Sequence, residues 1–368
     1  MGVATHGNTG KTHGLWAKLW NDMDQAREVE ESVALLRDRA ARLPEELTRA
    51  ALGENRPLPL PRGDRTRFVV SGLGASEGPA RVLCAVLAEV GLAAVYAPVS
   101  AFFAAAPPPG DVLVIVSQRL SPNARIPLRY RAAYPEVVLV TTLDPSSDAR
   151  VGELARSGVR VLVHSPAEED RLLLRVLGPA AASVCVTRAA LGSARELGVV
   201  PNWASALGEV PAAVAAALAR GQRSDTDLFA HWVALVCGGG CTEVLQLVRV
   251  KLVEGLGLVD PPVWDACGVV HGPFQAFFER SLTLLYFHRK DDPAGRLLLD
   301  RLERSIVAER HRVWVHEGTL PGPLILFEHD AAVLGLVLAT LAKHPRNLIR
   351  WPGKGADGPV YAVEGTEI

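Results

Sequence analysis

From Arg67 onward the chain alternates short runs rich in β-branched residues with longer segments whose apolar positions follow helical spacing. The runs Phe68-Val69-Val70, Ala93 to Val99, Val112 to Ser117, Val137 to Thr142 and Val159 to Val163 predict strands. Helix-sized segments separate them, the first over Ala80 to Val90, so the strands belong to a parallel sheet covered on both faces. Near Pro201 the pattern restarts. It predicts a helix near Ala212 to Ala219, a strand Trp232 to Val236 and a helix Thr242 to Glu254. Strands Leu282 to Phe287, Val313 to His316 and Leu324 to Phe327 follow, then a helix Ala331 to Ala342. In each half the first strand runs into a glycine turn, Gly72-Leu73-Gly74 and Gly238-Gly239-Gly240, while residue identity between the halves is low. Ahead of both, Leu15 to Leu52 reads as one or two charged amphipathic helices that end before the prolines of 57–61.

A length of 368 residues suits two domains of ordinary size. The 39 basic and 40 acidic residues are interspersed, which gives no broad attraction to nucleic acid or to anionic lipid. An anionic ligand must therefore be held locally. No run approaches the roughly 18 apolar residues of a membrane span, and the polar start Met1 to Asn8 lacks a secretory core. Five cysteines in a long chain do not form a secreted disulfide framework. These features predict a cytoplasmic protein with neither nucleic-acid nor membrane partners. Gly7-Asn8-Thr9-Gly10-Lys11-Thr12 has some features of a phosphate-binding P-loop, but its first glycine is misplaced and no strand precedes it.

Candidate chemistry gathers where the predicted strands end. The turn Ser71-Gly72-Leu73-Gly74-Ala75-Ser76 can bring backbone amides and the Ser76 hydroxyl to an anion at a helix start, and any tight strand-to-helix connection needs the same glycines. Ser117-Gln118-Arg119-Leu120-Ser121-Pro122-Asn123 follows the third strand. There Arg119 offers a charge-assisted contact to an anion, or Ser117 and Ser121 merely cap a helix. Ser146 and Ser147 follow the fourth strand, and capping is the simpler reading. Lys251 and Glu254 share one helix face, as an ordinary surface ion pair also would. His271-Gly272-Pro273 lies one loop later. Cys237, Cys241, Cys267 and His271 form two close pairs with the ligand types of a tetrahedral zinc site, although Cys237 also fits a buried strand end. His316-Glu317 and Glu328-His329-Asp330 stand at predicted strand ends and read as solvated loop residues.

Taken together, these motifs resemble the SIS (sugar isomerase) domain family, specifically the isomerase half of the glutamine-fructose-6-phosphate amidotransferases. The resemblance runs from about Arg67 to Arg350. It is carried by the first glycine turn, the Ser117 loop, Lys251-Leu252-Val253-Glu254, His271-Gly272-Pro273 and Pro345-Arg346-Asn347-Leu348-Ile349-Arg350. It implies an α/β fold of two SIS-type, doubly wound, flavodoxin-like domains in tandem. Residues 1–66 would be a helical segment and linker, 67–200 and 201–344 the two domains, and 345–368 a tail closing over the active site.

The activity implied is aldose–ketose isomerisation of a sugar phosphate or sugar-like metabolite. Glu254 would move the proton between carbons. His271 would assist ring opening, reaching into the neighbour's cleft in a homodimer. Gly74, Ser76, Ser117, Gln118, Arg119, Ser121, Gly239, Lys251 and Arg350 would line the ligand. Two departures mark this chain: Arg119-Leu120 replaces the Ser-Gly of the phosphate loop, and Arg350 replaces a lysine whose amine engages the open-chain carbonyl. Guanidinium forms no Schiff base. The first 65 or so residues hold no glutaminase domain. No cofactor is implied unless zinc occupies the cysteine set. The rival readings are a non-catalytic sugar-phosphate sensor and a metal-assisted hydrolase or lyase on the same fold.

Overall fold

A computed structural model describes residues 10–53, 56–164, 169–238, 245–356 and 362, with side chains from residue 25 onward. Gly239, Gly240, Cys241 and the first residues of the P-loop-like stretch lie outside these. The N-terminal segment is one helix, α1 (Gly10–Leu52), with Pro44 accommodated inside it. Leu36, Ala40, Leu43 and Leu47 recur at helical spacing along α1 and are all buried.

The first sheet contains β1 (Arg67–Gly72), β2 (Ala93–Tyr96), β3 (Val112–Val116), β4 (Glu136–Thr141) and β5 (Arg160–Val163). All pairs are parallel, in the order β2-β1-β3-β4-β5. Helices α2 (Glu77–Glu89), α3 (Ala149–Arg156) and α4 (Leu177–Glu196) serve this half. After α5 (Val210–Gln222) comes the second sheet, with β6 (Trp232–Cys237), β7 (Val263–Asp265), β8 (Leu282–Arg289) and β9 (His311–Gly318) in the parallel order β7-β6-β8-β9. Its helices are α6 (Leu245–Leu256), α7 (Pro273–Phe277), α8 (Pro293–Ser305) and α9 (Ile325–Lys343). The second order repeats the first without its last strand.

Strand periodicity divides the interior into three cores. Phe68, Val70, Val114 and Val138 face a central layer that also takes Val233, Leu235 and Phe287 from the second sheet, packed on α1, α4, α5 and α9. The alternate residues Val69, Leu113, Ile115 and Leu139 face an outer core with Val151 and Leu154 of α3. Ala234, Val236, Leu284 and Tyr286 do the same against Leu299 and Leu302 of α8. Both sheets are thus covered on two faces, which is why their strands read as unbroken aliphatic runs.

Two elements depart from the sequence expectation. The segment Leu324 to Phe327 is not a strand. It closes a 3-10 turn, Gly322–Leu324, and opens α9. A four-residue apolar run fits a buried helix as well as a strand, and here the helix continues through Lys343. The short edge strand β7 had no sequence signal. By length and composition the segment Gly322–Lys343 passes for a membrane span, yet its most apolar window is 94% buried inside the protein as a core helix. Its contact with α5 is very close, because glycines meet there: a Cβ on Gly335 would fall 2.3 Å from the Leu218 carbonyl oxygen, and one on Gly221 would fall 2.1 Å from that of Ala332.

Candidate active site

Strand order reverses between β1 and β3, so the loops leaving these two strands part in opposite directions and leave a crevice at their carboxyl ends. The turn after β1 fits its tight course through its glycines. A Cβ on Gly72 would meet the Ser76 carbonyl oxygen at 2.4 Å, and Gly74 holds φ +56°. The 3-10 turn Gly74–Ser76 touches both α4 and α6, so the crevice lies where the two halves of the chain meet. Ser76 is buried, and the Ser71 hydroxyl at the end of β1 is fully buried without a hydrogen-bond partner.

The loop after β3 forms the second wall. The Gln118 carbonyl accepts hydrogen bonds from Thr142 N (3.1 Å), Thr141 Oγ1 (2.9 Å) and Thr142 Oγ1 (2.7 Å), which lock the loop to the end of β4. Leu120 drops into the outer core at φ 50°, a left-handed conformation unusual for leucine. Gln118 packs against Gly178 at the start of α4, with its side-chain nitrogen unpartnered. Ser117 is buried, Ser121 half-buried, and Arg119 exposed and paired with Asp170 at 2.7 Å. Ser146 and Ser147 belong to a turn organised by Asp144, in keeping with the capping reading.

The segment leading into α4 is the third wall, and the sequence reading missed it. Glu169 is buried, and its carboxylate accepts from the amides of Val176 (2.6 Å), Leu177 (2.7 Å) and Gly178 (2.7 Å). It satisfies the helix amides that have no partner within the helix. Arg39, reaching from α1 and itself buried, donates to the carbonyls of Leu174 (3.0 Å) and Asp170 (2.5 Å). Arg175 donates to the Glu169 carbonyl. A single acidic residue some way ahead of a helix carries no recognisable sequence signature.

Helix α6 closes the crevice from the second half. Leu247 packs on Gly78 at the start of α2, and Gly255 packs on Leu174 and on Val337 of α9. Glu254 lies between these contacts along the helix. Its Oε2 is buried without a partner, and burial pushes its carboxyl up to about 7, against the opposing pull of Lys251 and Arg175. A carboxyl that changes charge near neutrality suits a general base. Lys251 is among the largest fully buried side chains, and its ammonium pairs with Asp330 of α9 at 2.5 Å, so it is committed to that carboxylate.

His271 is exposed, in the connection between β7 and α7. Among the described residues of one chain it makes no hydrogen bond or ion pair with Glu254. Cys237 is buried at the end of β6 and Cys267 is exposed, with Cys241 outside the described residues. Among the described residues, no three histidine, cysteine or acidic side chains are arranged to hold a metal ion.

The tail docks beside the crevice. Arg346 donates to the Leu256 carbonyl at the end of α6 (2.7 Å) and lies over the Phe229 ring. Asn347 donates to Glu28 of α1 (2.9 Å), and Leu348 N donates to the Ser32 hydroxyl (3.2 Å). The tail therefore clamps α6 to α1. The structure places Arg350 on Glu28, at 2.7 Å.

Of the residues read as solvated, His316, Glu328, His329 and Asp330 prove buried and Glu317 half-buried. His316, on β9, and His329, on α9, are both fully buried and share a hydrogen bond between their Nδ1 atoms at 2.9 Å. Glu328 accepts from Thr319 N, Thr319 Oγ1 and Leu320 N. Once Leu324 to Phe327 becomes the entry to α9, Glu328, His329 and Asp330 fall in its first turns and face the core.

No family model and no curated protein sequence matches the chain. Solved structures do. The C-terminal domain of glucosamine-fructose-6-phosphate aminotransferase from Francisella tularensis superposes with a TM-score of 0.62 at 12% identity, over 83% of this chain and 96% of that one. Glucosamine-6-phosphate deaminase from Thermotoga maritima gives 0.64 at 13%, over 86% and 96%. Tagatose-6-phosphate ketose/aldose isomerase from Escherichia coli gives 0.65 at 14%, over 86% and 94%. The tandem SIS fold expected from the sequence is therefore present. At such identities the likeness speaks for the fold, and function rests on the site.

Proposed function

We propose that the chain is an aldose–ketose isomerase, or a related proton-transferring enzyme, acting on a sugar phosphate or a similar sugar-like metabolite. One observation carries this reading: Glu254 presents an unpartnered, buried carboxyl oxygen on the helix that closes the switch-point crevice, and its ionisation is raised to about 7. A carboxylate so placed takes a proton from the carbon beside a carbonyl and returns it to the neighbouring carbon. Burial holds the carboxyl near the operating pH, where it both accepts and donates.

In this proposal Gly74, Ser76, Ser117, Gln118 and Ser121 line the ligand, and Arg119 meets an anionic end. His271, exposed and making no hydrogen bond or ion pair with its own Glu254, serves the site of a second copy, so the working unit is a homodimer, which we place in the cytoplasm. Arg346, Asn347 and Leu348 of the tail shape the site by fixing α6 against α1, with Arg350 near its margin. Lys251 tunes Glu254 from within the core and does not touch the ligand.

Subunit mixing tests the shared site. Glu254→Gln and His271→Asn homodimers should each be inactive. Mixed and re-equilibrated, they should regain about a quarter of wild-type turnover, because half the dimers are hybrid and each hybrid holds one intact site. No regain on mixing contradicts the shared site. A second reading, a non-catalytic sugar-phosphate sensor, is favoured by the committed Lys251 and by the loop in which Leu120 is buried. Ligand binding without proton exchange would establish it.

A further inference from the structure

Two guanidinium groups from different walls of the crevice converge on a single oxygen. Arg119 Nη2 lies 2.7 Å and Arg175 Nη1 3.6 Å from Oδ1 of Asp170. The backbone beneath Asp170 is fixed: Arg39 holds its carbonyl, and the neighbouring Glu169 is anchored on the amides of α4. Beyond it, Arg171 is tied to Glu31 at 2.7 Å. The Asp170 side chain itself is 64% exposed. It can therefore leave the two arginines by a rotamer change into water, without moving the chain.

We propose that Arg119 and Arg175 form a subsite for the phosphate group of a ligand, and that Asp170 is its built-in competitor, occupying the subsite until a stronger anion displaces it. The proposal rests on reading the crevice as a sugar-phosphate site and adds the control of that site. An exposed carboxylate–guanidinium pair contributes little. A phosphate dianion offers three acceptor oxygens and about twice the charge to the same two guanidiniums, and it forms the stronger charge-assisted bonds. Apparent affinity is then reduced by the fraction of time that Asp170 stays in place. Neutral sugars gain nothing by displacing it, so the plug discriminates by charge.

Inorganic phosphate is the probe, titrated calorimetrically at constant ionic strength into the full chain. Asp170→Asn keeps the side-chain shape and removes the competing charge, and it should tighten phosphate binding about five- to tenfold. The gain should vanish in Asp170→Asn combined with Arg119→Gln, and again with Arg175→Gln. Asp38→Asn removes an exposed carboxylate of α1 that is paired with Arg42, and it should leave affinity unchanged. Wild-type affinity in Asp170→Asn, a gain surviving both arginine replacements, or an equal gain from Asp38→Asn would each overturn the proposal. Binding of phosphate alone is read, so a chain that exchanges no proton with any sugar still passes or fails this test.

Discussion

Acid should destabilise this protein through the hydrogen-bonded pair His316 and His329. Both are fully buried, and their Nε2 atoms have no partner. Burial lowers His316 to about 3, with the nearby Arg220 guanidinium adding to the effect, and burial lowers His329 well below the ordinary histidine range. The unfolded chain binds protons near pH 6.5 while the folded one does not, so this stability is complete above about 6.5 and is lost as pH falls toward 3. Well below pH 6.5 each histidine forfeits about 1.4 kcal/mol per pH unit, because the unfolded chain takes up a proton that the folded chain refuses. The two together forfeit about 3 kcal/mol per pH unit, a large fraction of the whole stability of many domains.

Urea unfolding measured from pH 7.5 to 4.5, in wild type and in a His316→Leu/His329→Leu double variant, isolates the pair. Replacing both partners with apolar groups leaves no unsatisfied donor and costs little at neutral pH. Other titrating groups cancel in the difference. Among them is Glu254, whose raised carboxyl acts with opposite sign and loses stability as pH rises from about 4.5 to 7. The double variant should lack a slope that approaches about 3 kcal/mol per pH unit well below pH 6.5. Equal slopes in the two proteins would refute the reasoning.

Further outcomes follow from single contacts. Asp330→Ala strands the buried Lys251 ammonium and should cost about 3–5 kcal/mol in chemical denaturation, whereas Lys251→Met with Asp330→Leu should recover most of that loss. Gly335→Ala drives a methyl into the Leu218 carbonyl at the α5–α9 crossing, and should lower stability by about 1–3 kcal/mol in the same assay. Arg350→Ala removes an exposed pair with Glu28 and should change stability by at most about 1 kcal/mol, so any larger loss of ligand affinity would mark a direct role at the site.

The parallel sheets were legible because strands buried on both faces must be aliphatic throughout, as Val112 to Val116 are. The glycine turn was legible because its backbone admits few other residues. Leu324 to Phe327 was not, since a short apolar run carries no period that separates strand from helix, and the burial of His329 and Asp330 was lost with it. Lys251 was found by its neighbour Glu254, but its commitment to Asp330 depends on how α6 packs against α9, which no local spacing encodes. The wall at Glu169, Asp170 and Arg175 was invisible for the same reason. Each gains meaning only when α1 and the loop after β3 come against it.

The central claim is that Glu254 moves a proton, and solvent exchange tests it most directly. Sugar phosphates are incubated with the protein in deuterated water, and label at the carbon beside the carbonyl is followed by NMR across pH 5 to 9. The account predicts incorporation that rises with an ionisation near pH 7 and collapses in Glu254→Gln, while that variant keeps the wild-type fold by circular dichroism. Exchange that proceeds undiminished in Glu254→Gln, or no exchange by the wild-type protein with any sugar phosphate it binds, would contradict it.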